Sequence, residues 1–204
     1  NLDLETTVDP VGNVIIRKPA TPGMENRKTV VMQSHLDMVH QKNADSDFDF
    51  ENEGIRMLIE GDGVKADGTT LGADNGLGVA AIMGVLRSSS IAHPALEALF
   101  TIDEETGMTG AQGLQPGYLE GEILLNLDTE EDDEIDIGCA GGIDVTAVKG
   151  YQTREPRKNV KSYRISVTGL QGGHSGMDIH KGLGNANKIM NGFIVLLRNE
   201  IHLS

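Results

Sequence analysis

Apolar runs separated by turn-forming stretches dominate the first 140 residues. Residues 11–20, VGNVIIRKPA, read as a short strand, and 21–28 as a loop. The next strand spans 29–37, where Val30, Val31 and Met32 give way to Gln33, Ser34, His35 and Asp37. Residues 57–76 combine Gly-Asp turns with short polar strands, the pattern of a hairpin-like connector. The stretch GLGVAAIMGVLRSSS, 76–90, predicts a helix apolar nearly all round, and hence one buried between layers. Two more strands, 95–107 and 121–138, each run from an apolar start into acidic residues.

Strands alternating with helices predict an α/β fold, a sheet-and-helix sandwich. From about residue 141 the pattern changes. GGIDVTAVKGY and KSYRISVTGL alternate apolar and polar positions, as strands with one solvated face do. Residues 182–199 then show helical spacing through Ala186, Ile189, Met190, Phe193 and Leu197. The organisation expected is a partial catalytic domain over 1–140 and the beginning of a smaller α+β domain over 141–204.

Composition narrows the function classes. Hydrophobic residues at 38% and charged residues at 24% fit a globular chain. A net charge of −14 leaves no basic face to neutralise phosphates, so a nucleic-acid partner is not expected. The same charge suits cation binding where carboxylates converge. No apolar run reaches the roughly 18 residues of a membrane span, and no signal-peptide pattern opens the chain. One cysteine, Cys139, forms no internal disulfide, which points to a reducing cytoplasm. The chain begins with Asn and stops at RNEIHLS just after an apolar helical stretch, as a piece of a longer protein would.

Three apolar runs end in metal-type ligands: VVMQSHLD, LFTIDEE and ILLNLDTE. In α/β sheets, sites gather at the carboxyl ends of strands. If these three run parallel, His35, Asp37, Asp103, Glu104, Glu105 and Asp128 share one edge. Asp74, in GADNG before the helix, could reach it. Such a concentration of negative charge calls for bound cations. Taken singly, each has a simpler reading. Asp74 could cap the helix, Glu104 and Glu105 could be solvated, and Asp128 could belong to an exposed acidic loop.

In this order, SHLDMV, LGADNGLGVAA, TIDEETGMTGA and LNLDTE resemble the cytosolic non-specific dipeptidases, also called aminoacyl-histidine or β-alanyl-histidine (carnosine-type) dipeptidases. These belong to the co-catalytic zinc aminopeptidase and deacylase superfamily. The segment GLQGGHSGMDIHKGLGNANK resembles the lid of the dipeptidase branch. The resemblance implies two divalent ions, zinc first, with cobalt or manganese as substitutes. Asp74 would bridge them, His35 and Asp128 would complete one, and Glu105 would join the other. Asp37 would orient the His35 ring, and Glu104 would be the general base for the attacking water. The resemblance further implies a cis peptide after Asp74 and a homodimer. It also implies another histidine for the Glu105 ion from beyond residue 204, since His40, His93 and His202 match no motif. His174, with His180 as second choice, would contribute from the lid to the oxyanion or the substrate carboxylate.

Three functions remain open on these residues. One is hydrolysis of unblocked dipeptides, including those ending in histidine. The second is deacylation of an acyl-amino acid, which the ligands do not separate from the first. The third is a non-catalytic cation-binding or dimerisation fragment, against which the intact Glu104 speaks. The 204 residues alone are expected to bind metal weakly and hydrolyse little.

Overall fold

A computed structural model describes residues 2–129, 133–139, 141, 143, 145–153, 155, 158–173 and 178–201. The chain divides into two compact units, 1–139 and 140–204.

The first unit begins with β1 (Glu5–Val8) and β2 (Val14–Lys18), an antiparallel pair closed by the turn at Asp9. Asp9 Oδ1 accepts the N–H groups of Val11, Gly12 and Asn13, and its Oδ2 accepts Asn13 Nδ2. Burial raises the pKa of this carboxyl, but the four donors outweigh it and hold the group below its usual range. The sequence pattern did not single out β1, whose alternation is broken by Glu5, Thr6 and Thr7.

The chain continues through β3 (Val30–His35), the small antiparallel hairpin β4 (Met57–Glu60) and β5 (Gly63–Ala66), and the helix α1 (Ala73–Arg87). Next come β6 (Leu96–Thr101), the short helix α2 (Thr109–Gly113) and β7 (Ile123–Asn126). Five of these strands form one sheet in the order β1-β2-β6-β3-β7. The strands that end in acidic residues are its parallel part: β3 pairs in parallel with β6 on one side and β7 on the other, with His35 opposite Thr101.

Both faces of this sheet are covered, as parallel strands require. Met32, Ala98 and Phe100 pack against Ile82 and Leu86 of α1 on one face. Ile15, Val31 and Leu99 pack against Leu114, Tyr118 and Leu119 on the other. Alternate residues of each strand thus feed separate cores.

Two expectations for this unit are corrected. The helix at 76–90 is not buried all round: Gly78, Ile82 and Leu86, four residues apart, form a single buried stripe, while Leu77 is exposed. Among the described residues of 121–138 the predicted strand is confined to Ile123–Asn126, where its ladder to β3 ends at Gln33.

In the second unit, the described residues of 141–173 form no strand, although their alternation predicts two. A strand exists through its ladder, and among the described residues these segments make no strand pairing. Val148 and Tyr151 are accordingly 89% and 86% exposed. The helix predicted at 182–199 is present as α3 (Ala186–Ile201), preceded by a 3-10 turn at Ile179–Lys181. No helix among the described residues is long and apolar enough to cross a membrane.

Candidate metal centre

The parallel pairing carries three chain segments to one edge of the sheet. β3 ends on His35, β6 leads into Asp103, Glu104 and Glu105, and β7 leads into Asp128. Asp74 arrives from the start of α1, where φ −85° and ψ 111° take it out of the helical conformation. Gly72, whose φ of 76° is left-handed, leads into this kinked start, and the Asp74 carboxylate lies 3.0 Å from His35 Nε2. The Asp74–Asn75 peptide is cis.

His35 is the hub. Its side chain is 1% exposed, and its Nδ1 lies 2.9 Å from the Asp37 carbonyl oxygen, to which the ring N–H donates. That leaves Nε2 facing outward toward carboxylates: Asp74 Oδ1 at 3.0 Å, Asp128 Oδ2 at 3.7 Å and Glu104 Oε2 at 4.0 Å. Burial alone would lower the pKa of His35, but Asp128, Asp74 and Glu104 outweigh it and raise it. Burial pushes the Asp128 and Glu104 carboxyls up, partly offset by His35, and neighbouring carboxylates push them further, Asp74 acting on Asp128 and Asp128, Glu105 and Asp74 on Glu104. The neighbouring Asn75 side chain acts the other way on Asp128, favouring its ionised form.

Asp37 meets the His35 ring through its backbone carbonyl, and its carboxylate has a further part. The strand stops at His35, so the two side chains do not continue side by side along a pleat. Its carboxylate stands 3.5 Å from His35 Nδ1, farther than its own carbonyl oxygen. Instead Oδ1 accepts the Glu104 N–H and Oδ2 the Glu105 N–H, both at 3.1 Å. These backbone donors outweigh burial and lower the Asp37 pKa. Asp37 thus ties the Glu104–Glu105 turn to the end of β3.

Asp103 faces elsewhere: it accepts hydrogen bonds from the Thr106 and Thr109 hydroxyls and shapes the turn into α2. Two groups of possible ligand atoms lie within 4.8 Å of one another, His35 with Asp74 and Asp128, and His35 with Glu104 and Glu105. Because Nδ1 is committed to a carbonyl, one His35 nitrogen is available, and it can serve one cation at a time. His180 is exposed in the 3-10 turn of the second unit, and His174 lies outside the described residues.

The donor set fits a divalent cation. A neutral imidazole with Nδ1–H bound to a carbonyl presents a lone pair at Nε2, and three carboxylates converge on that lone pair. Without a positive charge between them these groups repel, and that repulsion adds to burial in raising the Glu104 and Asp128 pKa values.

A cavity of about 280 Å³ opens beside Glu104 and Asp128, with apolar walls from Leu99, Ile102, Met108, Leu114, Leu119 and Leu124. A second cavity, of about 310 Å³, lies near Arg17 and Glu97 at the other end of β6, and none of the clustered carboxylates lines it.

Sequence reasoning passed over the polar residues beneath the cluster. Gln33 donates to Thr101 Oγ1 and accepts from Asn126 Nδ2, while Asn126 Oδ1 accepts the Asp128 N–H. Ser34 donates to Asn75 Oδ1 at 2.6 Å. Their signal was present as Gln33-Ser34 and Asn126, polar residues at the ends of apolar runs.

Comparisons with known proteins agree with this geometry. Over 195 residues the chain is 51% identical to the cytosol non-specific dipeptidase of Escherichia coli K12, covering 96% of this chain and 40% of that protein. Among solved structures, the aminoacylhistidine dipeptidase from Vibrio alginolyticus aligns with a TM-score of 0.67 and 47% identity, over 97% of this chain and 40% of that one. Aminopeptidase PepT from Bacillus cereus aligns with a TM-score of 0.53 and 28% identity, over 64% of this chain and 35% of that one. The chain thus spans about 40% of the length of the first two relatives. The sequence profile of peptidase family M28 matches residues 13–177, most of the chain, and the protein belongs to that family.

Proposed function

We propose that the protein is a metallopeptidase that hydrolyses the peptide bond of unblocked dipeptides, aminoacyl-histidine dipeptides among them. The observation that carries this reading is the convergence of Asp74, Asp128 and Glu104 on His35 Nε2 within 3.0–4.0 Å, from four separate chain segments. The names of its relatives supply the substrate class.

His35, Asp74 and Asp128 would hold one cation, and Asp74 with Glu105 a second. An imidazole with carboxylate donors suits zinc, with cobalt or manganese as substitutes. When bound, such a pair acidifies water and polarises the scissile carbonyl. The chain's own residues do the rest. Glu104, half-buried behind the cluster, accepts a proton from the attacking water and delivers it to the leaving amine. Asp37 fixes the turn that carries Glu104, so the base keeps its distance from His35. His174 and His180 are assigned to the oxyanion or the substrate carboxylate from a lid domain over 141–204. The full-length protein acts in the cytoplasm as a homodimer, in line with the cytosolic designation of its relative.

The test is a panel of dipeptides, tripeptides and acyl-amino acids presented to the zinc-loaded full-length protein and to its Glu104→Gln variant. Dipeptide cleavage lost in the variant is expected. Preferential cleavage of acyl-amino acids, or unchanged turnover in Glu104→Gln, overturns the assignment.

A further inference from the structure

Beneath the carboxylates lies a buried contact that the assignment above leaves without a role. Ser34 is 0% exposed and Asn75 3% exposed. Ser34 lies one pleat beyond Met32, on the face of β3 covered by α1. An apolar residue would fill that position at no cost in hydrogen bonding. Instead its hydroxyl donates to Asn75 Oδ1 at 2.6 Å, with the Asn75 carbonyl oxygen 3.2 Å away. Asn75 Nδ2 is buried and completes no hydrogen bond within the chain. A buried amide left half-satisfied is costly, because the donor has given up its water without gaining a partner.

Its surroundings supply a reason. With Oδ1 committed to Ser34, the Asn75 amide is fixed one residue from Asp74, and its buried NH2 group is left with donors to offer.

Gly78 shows how tightly the contact is built. A Cβ at Gly78 would lie 2.6 Å from Ser34 Oγ and 2.7 Å from the Leu127 carbonyl oxygen, and would also overlap Asn75 Oδ1. Only glycine lets α1 approach this closely. Each of the three residues meeting there is the chain neighbour of a cluster ligand: Ser34 of His35, Asn75 of Asp74, Leu127 of Asp128.

We propose that Ser34 and Asn75 are positioning residues of the cation centre, Ser34 fixing Asn75 so that their buried contact, packed beside the Leu127 backbone, keeps the Asp74 and Asp128 segments in register with His35. This rests on the metal-centre reading above and adds residues that do not touch the cation.

The experiment is a zinc titration of the metal-free full-length protein, of Ser34→Ala, of Asn75→Ala and of the double variant, with melting in chelator recorded for each. Partners one step behind the ligands are expected to cost about 10- to 100-fold in zinc affinity when removed. Because Ser34 acts through Asn75, the double variant should bind within about twofold of Asn75→Ala. A purely structural pair would lower the chelated melting temperature and leave the zinc affinity of the folded protein unchanged, which overturns the proposal. Losses that multiply in the double variant overturn it too, since Ser34 would then act alone. If Ser34→Ala does not fold, the Asn75→Ala titration decides by the same criterion. Wild-type protein that binds no zinc sinks the centre and the clamp together. Wild-type binding with unaffected variants sinks the clamp alone.

Discussion

Two stretches of this chain carry similar hydrophobic patterns and meet different fates. Residues 30–35 became β3, held between β6 and β7, with Val31 and Met32 buried in opposite cores. Residues 145–151, VTAVKGY, carry spaced apolar residues too, yet they form no strand and expose Val145, Val148 and Tyr151. The difference is not propensity, since valine favours strands in both. It is the presence of a neighbour on each side to satisfy the backbone and a layer on each face to cover the side chains. Chemistry follows the same division: the described ligand-type clusters sit at the end of the paired strands.

The comparison breaks most visibly at the clustered end. Glu104→Gln is expected to lower kcat for a dipeptide by about 10²- to 10⁴-fold, the usual contribution of a positioned general base. Steady-state kinetics on the zinc-loaded full-length protein would read it, and wild-type turnover would remove Glu104 from its role.

In the core of the paired sheet, Phe100→Ala should cost about 3–5 kcal/mol in urea unfolding, as large-to-small changes of buried aromatics do. The matching change in the unpaired stretch, Tyr151→Ala, should stay within about 0.5 kcal/mol because its ring is already in water. Equal losses at the two positions would mean that 145–151 is packed after all.

Gly78→Ala probes the junction between sheet and cluster. Its Cβ has no room against Ser34 and the Leu127 backbone, so a loss of about 1–3 kcal/mol is expected from overpacking. Gly76→Ala, where a Cβ meets nothing within 4 Å, is the control and should be nearly neutral.

Acid should loosen the first unit selectively. Asp9 and Asp37 have pKa values lowered below the usual 3.8, so the stability they contribute is fully present above that pH. It is lost as pH falls through their folded values. Asp9→Asn should flatten the acid limb of a melting-temperature profile, and an unchanged limb would mean that the turn at Asp9 does not depend on its charge.

How much of this was legible in the sequence depends on how local each feature is. The apolar runs at 29–37 and 95–107 marked two parallel strands, and their acidic ends marked the edge where His35 and Glu104 meet. The hairpin at 57–66 followed from its Gly-Asp turn. The strand ends were less legible, because β3 stops at His35 for want of further pairing rather than for any local signal. Asp37 does accept from the His35 ring, but through its backbone carbonyl, while its carboxylate holds the Glu104–Glu105 backbone, a long-range contact with no local signal. The small helix at 109–113, with two glycines in five residues, has almost no periodicity to read. Ser34 and Asn75 escaped notice because their contact joins positions 41 residues apart.

The account turns on a cation held where the three strand ends and Asp74 converge. Crystals of the zinc-loaded full-length protein, measured on both sides of the zinc absorption edge, test this directly. An anomalous peak is expected about 2.0–2.2 Å from His35 Nε2 and from oxygens of Asp74 and Asp128. Anomalous density bound elsewhere, with no peak at His35, would contradict it.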